Sequence, residues 1–260
     1  MASSPSAPEG AGLKLDIDGA VAAVTLHRPE RRNAMTPSLW RGLAAIGDSL
    51  PPEVRVVVVR GDGPSFSAGI DLRLFTPEGI PGEELARPSD PGFEEAIASY
   101  QAGYLWLRRP GIVSVAAVRG HAIGGGFQLA LACDLRVCAD DAVFCMKEPA
   151  LGLVPDLTGT KPLVDIVGLP RALEICLTAR NVPAAEAREL GLAELVVPAA
   201  GLDTAVAGLA ATLCMPDPDT ARAVKELLAG APGRTLAEQA AAERTAQAAL
   251  QRQRGRAGGW

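Results

Sequence analysis

Apolar and polar residues alternate over Leu13–Ile17 and Ala20–Leu26, on either side of Asp18-Gly19. This is the period-two signature of two strands joined by a tight hairpin. The period then changes. Thr36 can cap a helix that has Pro37 at its first position, and Leu39, Leu43, Ile46 and Leu50 recur on one stripe, which predicts a helix to about Ser49. Val54–Arg60 and Ile112–Val118 are apolar runs of the kind covered on both faces in a parallel sheet. Between them, residues 76–92 are rich in Pro, Gly and Glu and read as a mobile surface excursion, and Ala96–Leu107 reads as a helix ending before Pro110. A helix is expected from about Gly125 to Ala132, with short strands at Leu135–Cys138 and Val143–Met146. From Thr160 onward the pattern is helical apart from a short strand near Glu194–Val197, and it closes with an Ala/Gln/Arg-rich amphipathic helix over Leu236–Gln253. Strands alternating with helices in the first two thirds, then helices alone, predict an α/β core with a helical C-terminal part.

Two glycine-bearing loops fall between a predicted strand and a predicted helix. They are Phe66-Ser67-Ala68-Gly69-Ile70-Asp71-Leu72 and Gly124-Gly125-Gly126-Phe127-Gln128-Leu129-Ala130. Small residues there let backbone N–H groups approach a ligand, and two such groups aimed at one point form an oxyanion hole. Other glycine-loop chemistries are excluded. No Gly-Lys-Ser/Thr follows either loop, Leu129 breaks the dinucleotide fingerprint, and no Gly-x-Ser-x-Gly elbow supplies a serine nucleophile. Of the two histidines, His27 ends a strand, and His121 beside the second loop suits a loop-orienting hydrogen bond.

Composition narrows the partners. The chain has 260 residues, 48% of them hydrophobic, and a formal net charge of −5, enough for one sizeable core and without the basic face that nucleic acid requires. Arg28, Arg31 and Arg32 read first as a solvated turn and second as a contact for a ligand phosphate. No apolar run reaches the ~20 residues of a membrane span. Residues 1–12 lack the features of a secretory signal or transit peptide and are expected to form a disordered tail. The five cysteines (133, 138, 145, 176 and 214) form no CxxC or Cys/His cluster, so buried reduced thiols in a cytoplasmic protein are expected, with no metal site.

The two loops, the continuation to Cys133-Asp134, the opening Leu26-His27-Arg28-Pro29 with Asn33-Ala34-Met35, and the later Ala187, Leu190-Gly191-Leu192 and Val196-Val197 together resemble the crotonase (enoyl-CoA hydratase/isomerase) superfamily. The resemblance spans roughly residues 13–200 in order. It implies a core spiral of ββα turns over 13–200 and a C-terminal helical region over 201–260 that builds a trimer or a dimer of trimers. The implied ligand is a coenzyme A thioester, with no separate cofactor. By position it places the oxyanion donors at the N–H groups of Ala68 and Gly125, and the substrate path along Ala68, Gly69, Ile70, Asp71 and Leu72. The start of a helix at Gly125 would add positive potential there.

Hydratases of the family carry two glutamates across the substrate double bond. Gln128 stands at the first of those positions, and a primary amide cannot shuttle a proton near pH 7, though it can orient water or substrate. Glu148, in Lys147-Glu148-Pro149, stands at the second, and Asp156 follows eight residues later. The set Glu148, Asp156 and Ala68–Leu72 resembles most the dienoyl-CoA isomerase branch, which itself normally has a carboxylate where this chain has Gln128. Each residue also has a plainer reading: an ion pair for Glu148, a helix cap or turn for Asp156, a polar helix residue for Gln128. The expectation is an isomerase that shifts a C=C bond through an enolate, with Glu148 as base, Asp156 as second group and Gln128 in the site. A hydratase using Glu148 with Asp156, and a catalytically weak acyl-CoA binder, are the alternatives.

Overall fold

The computed structural model describes residues 6–256. β1 (Leu13–Asp18) and β2 (Val21–Leu26) pair antiparallel, as the hairpin pattern predicts. Beyond them the main sheet is parallel: β2 is followed by β3 (Val56–Gly61), β4 (Val113–Val118), β6 (Leu135–Ala139) and β9 (Leu195–Val197). A second sheet joins β5 (His121–Ile123), β7 (Val143–Cys145) and β8 (Val182–Pro183). The unbroken valines of β3 are explained by covering on both faces. Val57 and Val59 enter the principal core, while Val56 and Val58 face a smaller cluster closed by Leu202, Val206 and Ala210 of α6 (Leu202–Leu213).

The connections wind as a spiral. β4 leads to β5 and then to α3 (Gly125–Ala132), and β6 leads to β7 and, past a 3-10 turn, to α4 (Thr160–Thr178). The turn before these has β3, then Ser67 bridged in parallel to Ala122 of β5, then α2 (Phe93–Leu105). Ser67, β5 and β7 thus line one wall of the spiral while β3, β4 and β6 line the other. This is the ββα repeat that the resemblance implies.

α1 (Pro37–Ser49) begins where Thr36 predicts it, with Thr36 Oγ1 accepting from Leu39 N–H at 3.3 Å. Several boundaries differ from expectation. α2 starts three residues before Ala96, after Gly92 in the left-handed region, and the sequence pattern predicts neither β5 nor β8. α4 is interrupted at Gly168 (φ 74°, ψ 161°), two residues before Pro170. The expected tail is shorter than twelve residues. Ala11 is buried against α1, where a Cβ on Gly42 would come 2.8 Å from its own Cβ, and Gly12 O accepts from His27 N–H. Residues 1–5 of that tail lie outside the described residues. The 76–92 excursion is tied to the core, since Glu83 Oε2 accepts from Ser38 N–H at the start of α1.

After β8 come α5 (Ala184–Glu189), β9 and α6, then α7 (Pro218–Gly230) and α8 (Leu236–Arg256). α8 is not the amphipathic helix expected, since it packs principally on α7 and is exposed around most of its surface. Residues 257–260 are outside the described range.

Candidate active site

The two glycine loops lie side by side. Ser67 N–H donates to His121 O at 2.8 Å and Ile123 N–H donates to Ser67 O at 3.0 Å, a parallel pairing centred on Ser67 and Ala122. Three residues on from that pair stand Ile70 and Gly125. Gly69 (φ +81°) makes the approach possible, because a Cβ there would sit 2.6 Å from Ile123 O.

This pairing corrects the expectation for Ala68. Its N–H donates to Arg32 O at 2.8 Å and is therefore spent on the fold. Asp71 N–H is likewise spent, on Met35 O. Among the described residues Ile70 N–H has no backbone partner, and neither has Gly125 N–H at the first position of α3, where a helix leaves its donors free. The pair of free donors is thus Ile70 and Gly125. Ile70 was expected only as part of the substrate path. Which N–H is free depends on the left-handed Arg32 (φ 49°) turning its carbonyl toward Ala68, and no residue type signals that. Of the remaining path residues, Leu72 is exposed while the Asp71 side chain is buried in an ionic clamp. Arg73, with help from Arg28, holds the Asp71 carboxyl down to about 2.

Glu148 follows β7 and opens a 3-10 turn over Glu148–Leu151 that ends on Gly152 in the left-handed region. Its carboxylate lies against the start of α3, where a Cβ on Gly124 would be 3.0 Å from Glu148 Oε1, so the φ +50° glycine there makes room for the acid. Glu148 is 9% exposed. Gln128 Nε2 donates to Glu148 Oε1 at 2.7 Å, whereas Oε2 is buried with no hydrogen-bond partner among the described residues. Burial pushes the Glu148 carboxyl above its ordinary range, the Gln128 hydrogen bond opposes this, and the nearby charge of Asp156 adds to the rise. Burial likewise raises the half-buried Asp156. The Asp156 backbone carbonyl accepts from Gln101 Nε2 of α2 at 2.7 Å.

The structure therefore brings Gln128, Glu148, Asp156 and Gly125 together, and the plainer ion-pair reading of Glu148 does not apply. Met35, Tyr104 and Leu157 occupy the space a Cβ on Gly125 would need, and Tyr104 Oη donates to Gly125 O at 3.2 Å. The sequence pattern gives these three no role in the site: Met35 stands in a family motif, Tyr104 in the helix predicted over Ala96–Leu107, and Leu157 beside Asp156. An open cavity of about 670 Å3 is lined by residues 74–88, most of them in the excursion itself, with Leu74, Phe75, Ile80 and Leu85 in its wall. His121 is outside the acid cluster and lies 3.4 Å from Ser65 Oγ, and His27 pairs with Asp62. Burial raises the Cys133 and Cys138 thiols to about 12. Among the described residues no three His, Cys, Asp or Glu side chains gather as a metal site.

Comparison with known proteins places this arrangement. The family model for enoyl-CoA hydratase/isomerase matches residues 16–259. A crystal structure from Thermobifida fusca YX, assigned as an enoyl-CoA hydratase in complex with CoA, is 56% identical and superposes with a TM-score of 0.93 over 98% of this chain and 100% of its own. A hydroxycinnamoyl-CoA hydratase-lyase of Pseudomonas fluorescens is 34% identical over 82% of this chain and 76% of its own length. The mitochondrial Δ(3,5)-Δ(2,4)-dienoyl-CoA isomerase of Rattus norvegicus is 36% identical over 67% of this chain and 55% of its own. With a family match across nearly the whole chain and a fold shared with a relative of this identity, the protein belongs to the enoyl-CoA hydratase/isomerase family, with the crotonase fold.

Proposed function

We propose that the protein binds an acyl-coenzyme A thioester and moves a carbon–carbon double bond along its acyl chain. The observation that carries this reading is the asymmetry of Glu148: one oxygen is held by an amide, and the other is buried and unpartnered. Isomerisation needs one base and an enolate stabiliser, whereas hydration asks two proton-handling groups to act across the double bond. The thioester oxygen would lie between the Ile70 and Gly125 N–H groups. Glu148 Oε2 takes a proton from the carbon beside the thioester of a 3-enoyl substrate, and the electron pair delocalises onto the thioester oxygen. Two donors to that oxygen lower the barrier, each by ~3–4 kcal/mol in comparable sites. The proton then returns to the far end of the delocalised system, which leaves the double bond conjugated with the carbonyl. Asp156 is the second carboxyl group in reach of an extended, dienoyl chain.

Support for the ligand comes from the Thermobifida fusca relative with CoA bound, and support for the reaction from the resemblance to dienoyl-CoA isomerases. A hydratase using Glu148 with Asp156 is the second reading, favoured by relatives named as hydratases and by the proton that burial helps Asp156 retain. We further propose a homotrimer, for which the C-terminal region offers exposed Val224, Leu228 and Leu236. Light scattering should then return three times the 26.8 kDa chain mass, or six times for a dimer of trimers.

The deciding assay supplies 2-enoyl-, 3-enoyl- and 3,5-dienoyl-CoA and follows conjugation spectroscopically. The expected result is migration of the 3-enoyl or 3,5-dienoyl double bond with slow or absent hydration. Rapid hydration of 2-enoyl-CoA that survives Glu148→Gln would sink the isomerase reading. Tight binding of all three without turnover would leave an acyl-CoA binder.

A further inference from the structure

Gln128 is held by more than packing. Its side-chain oxygen accepts from Leu157 N–H at 2.8 Å and from Gly159 N–H at 3.1 Å. Two N–H groups so close in sequence converge on one atom around Thr158, whose φ of +69° is one that a β-branched residue adopts only under constraint. The result is a concave pair of donors, a backbone nest suited to an oxygen bearing negative charge. The segment is also pressed onto the amide, because a Cβ on Gly159 would lie 2.6 Å from Gln128 Cγ.

With its oxygen fixed, the nitrogen of the amide is fixed too, and it donates to Glu148 Oε1 at 2.7 Å. The reversed amide would set an NH2 group against two N–H donors, so the network determines the orientation. We infer that Gln128 is a positioning residue for Glu148, locked by the Leu157–Gly159 turn so that its amide engages one carboxylate oxygen and leaves Oε2 as the single atom that takes up and returns the proton. The inference rests on proton transfer by Glu148 as proposed above and adds the device that confines it to one oxygen. Removal and return by one atom at one place occur on the same face of the acyl plane. The strained turn that carries Asp156 at its start is thereby coupled to Glu148 through a single amide.

The test is a titration of Glu148 in substrate-free, full-length protein, read by difference infrared spectroscopy against Glu148→Gln. The groups facing Glu148 are Asp156, Tyr104, Cys145 of β7 and Cys176 of α4, with Lys147 next to it in the chain, and all are unchanged in the variants. In Gln128→Met the charged carboxylate loses its donor, and the midpoint should rise by about one unit, a tenfold change in proton affinity. In Gln128→Glu the nest holds the new carboxylate, whose other oxygen then meets Glu148. Two carboxylates sharing one proton should carry the midpoint higher still. The acid limb of kcat should move with the midpoint in each variant.

A residue that merely fills space would lower the melting temperature and leave the midpoint where it was. An unchanged midpoint in the variants that circular dichroism shows to be folded overturns the inference. Gln128→Asn, which keeps an amide but one methylene short, replaces Gln128→Met should that variant unfold, and the same rise is expected. Because the readout needs no substrate, a shifted midpoint alongside a wild-type protein that shifts no double bond would keep Gln128 as the residue that positions Glu148 and remove the isomerase reading, with the proton return it assigns to Oε2.

Discussion

At Glu148 burial and hydrogen bonding act on the proton in opposite directions, and burial prevails. Glu148→Gln removes the only proton carrier at that point while keeping the shape, so kcat should fall by a factor of ~10²–10⁴ in the double-bond assay. As a base the group acts unprotonated, so turnover should decline on the acid side with a midpoint above the ordinary 4.5. Because the folded value exceeds the unfolded one, its effect on stability is fully present below the unfolded pKa and is lost as pH rises through the folded pKa. Asp71 shows the opposite sign. Arg73 and Arg28 hold it at about 2 against an ordinary 3.8, so its stabilisation is present above the unfolded value and is lost as pH falls through the folded one. Asp71→Asn should cost about 2 kcal/mol in urea unfolding at pH 7, and the difference should close toward pH 2.

The elements that could be read in the sequence are those whose pattern is local. The β1–β2 alternation, the Thr36-Pro37 start of α1 and the α3 boundaries all stand where residue type and spacing put them. β5 and β8 have three and two residues, too short to carry a period, and exist because neighbouring strands pair with them. The same distinction divides the site. Gln128, Glu148 and Asp156 stand at positions that the family resemblance marks, whereas the change from Ala68 to Ile70 as free donor depends on where the Arg32 carbonyl points. Gly69→Ala tests the pairing of the loops directly. A Cβ at φ +81° and 2.6 Å from Ile123 O should force the loops apart, lowering stability by at least ~1 kcal/mol and kcat by more than tenfold. Thermal melts and steady-state rates on the same variant read the two effects.

Across the whole molecule, α7 is tied to the spiral through the buried end of Lys225. Lys225 Nζ reaches Asp134 Oδ2 at 2.6 Å and Ile112 O at 2.7 Å, and Asp134 also accepts from Ser114 N–H at 2.8 Å. Burial lowers the Lys225 pKa even though Asp134 opposes this, so the charge is sustained by its partner. Lys225→Met should cost about 3 kcal/mol by leaving Asp134 without its cation, visible as a lower melting temperature. Asp134→Asn with Lys225→Met should recover part of the loss. The spiral thus bears the site, and the helical region beyond it is held by the apolar face of α6, by the Arg119–Asp203 ion pair and by the Lys225–Asp134 tie of α7. The Ser67–Ala122 bridge fixes the level of Ile70 and Gly125 on adjoining runs of backbone, and both donors belong to the main chain. On the proposed reading, mutation can therefore alter the isoleucine side chain, and with it the surface an acyl chain meets, without touching either group that would stabilise the charge.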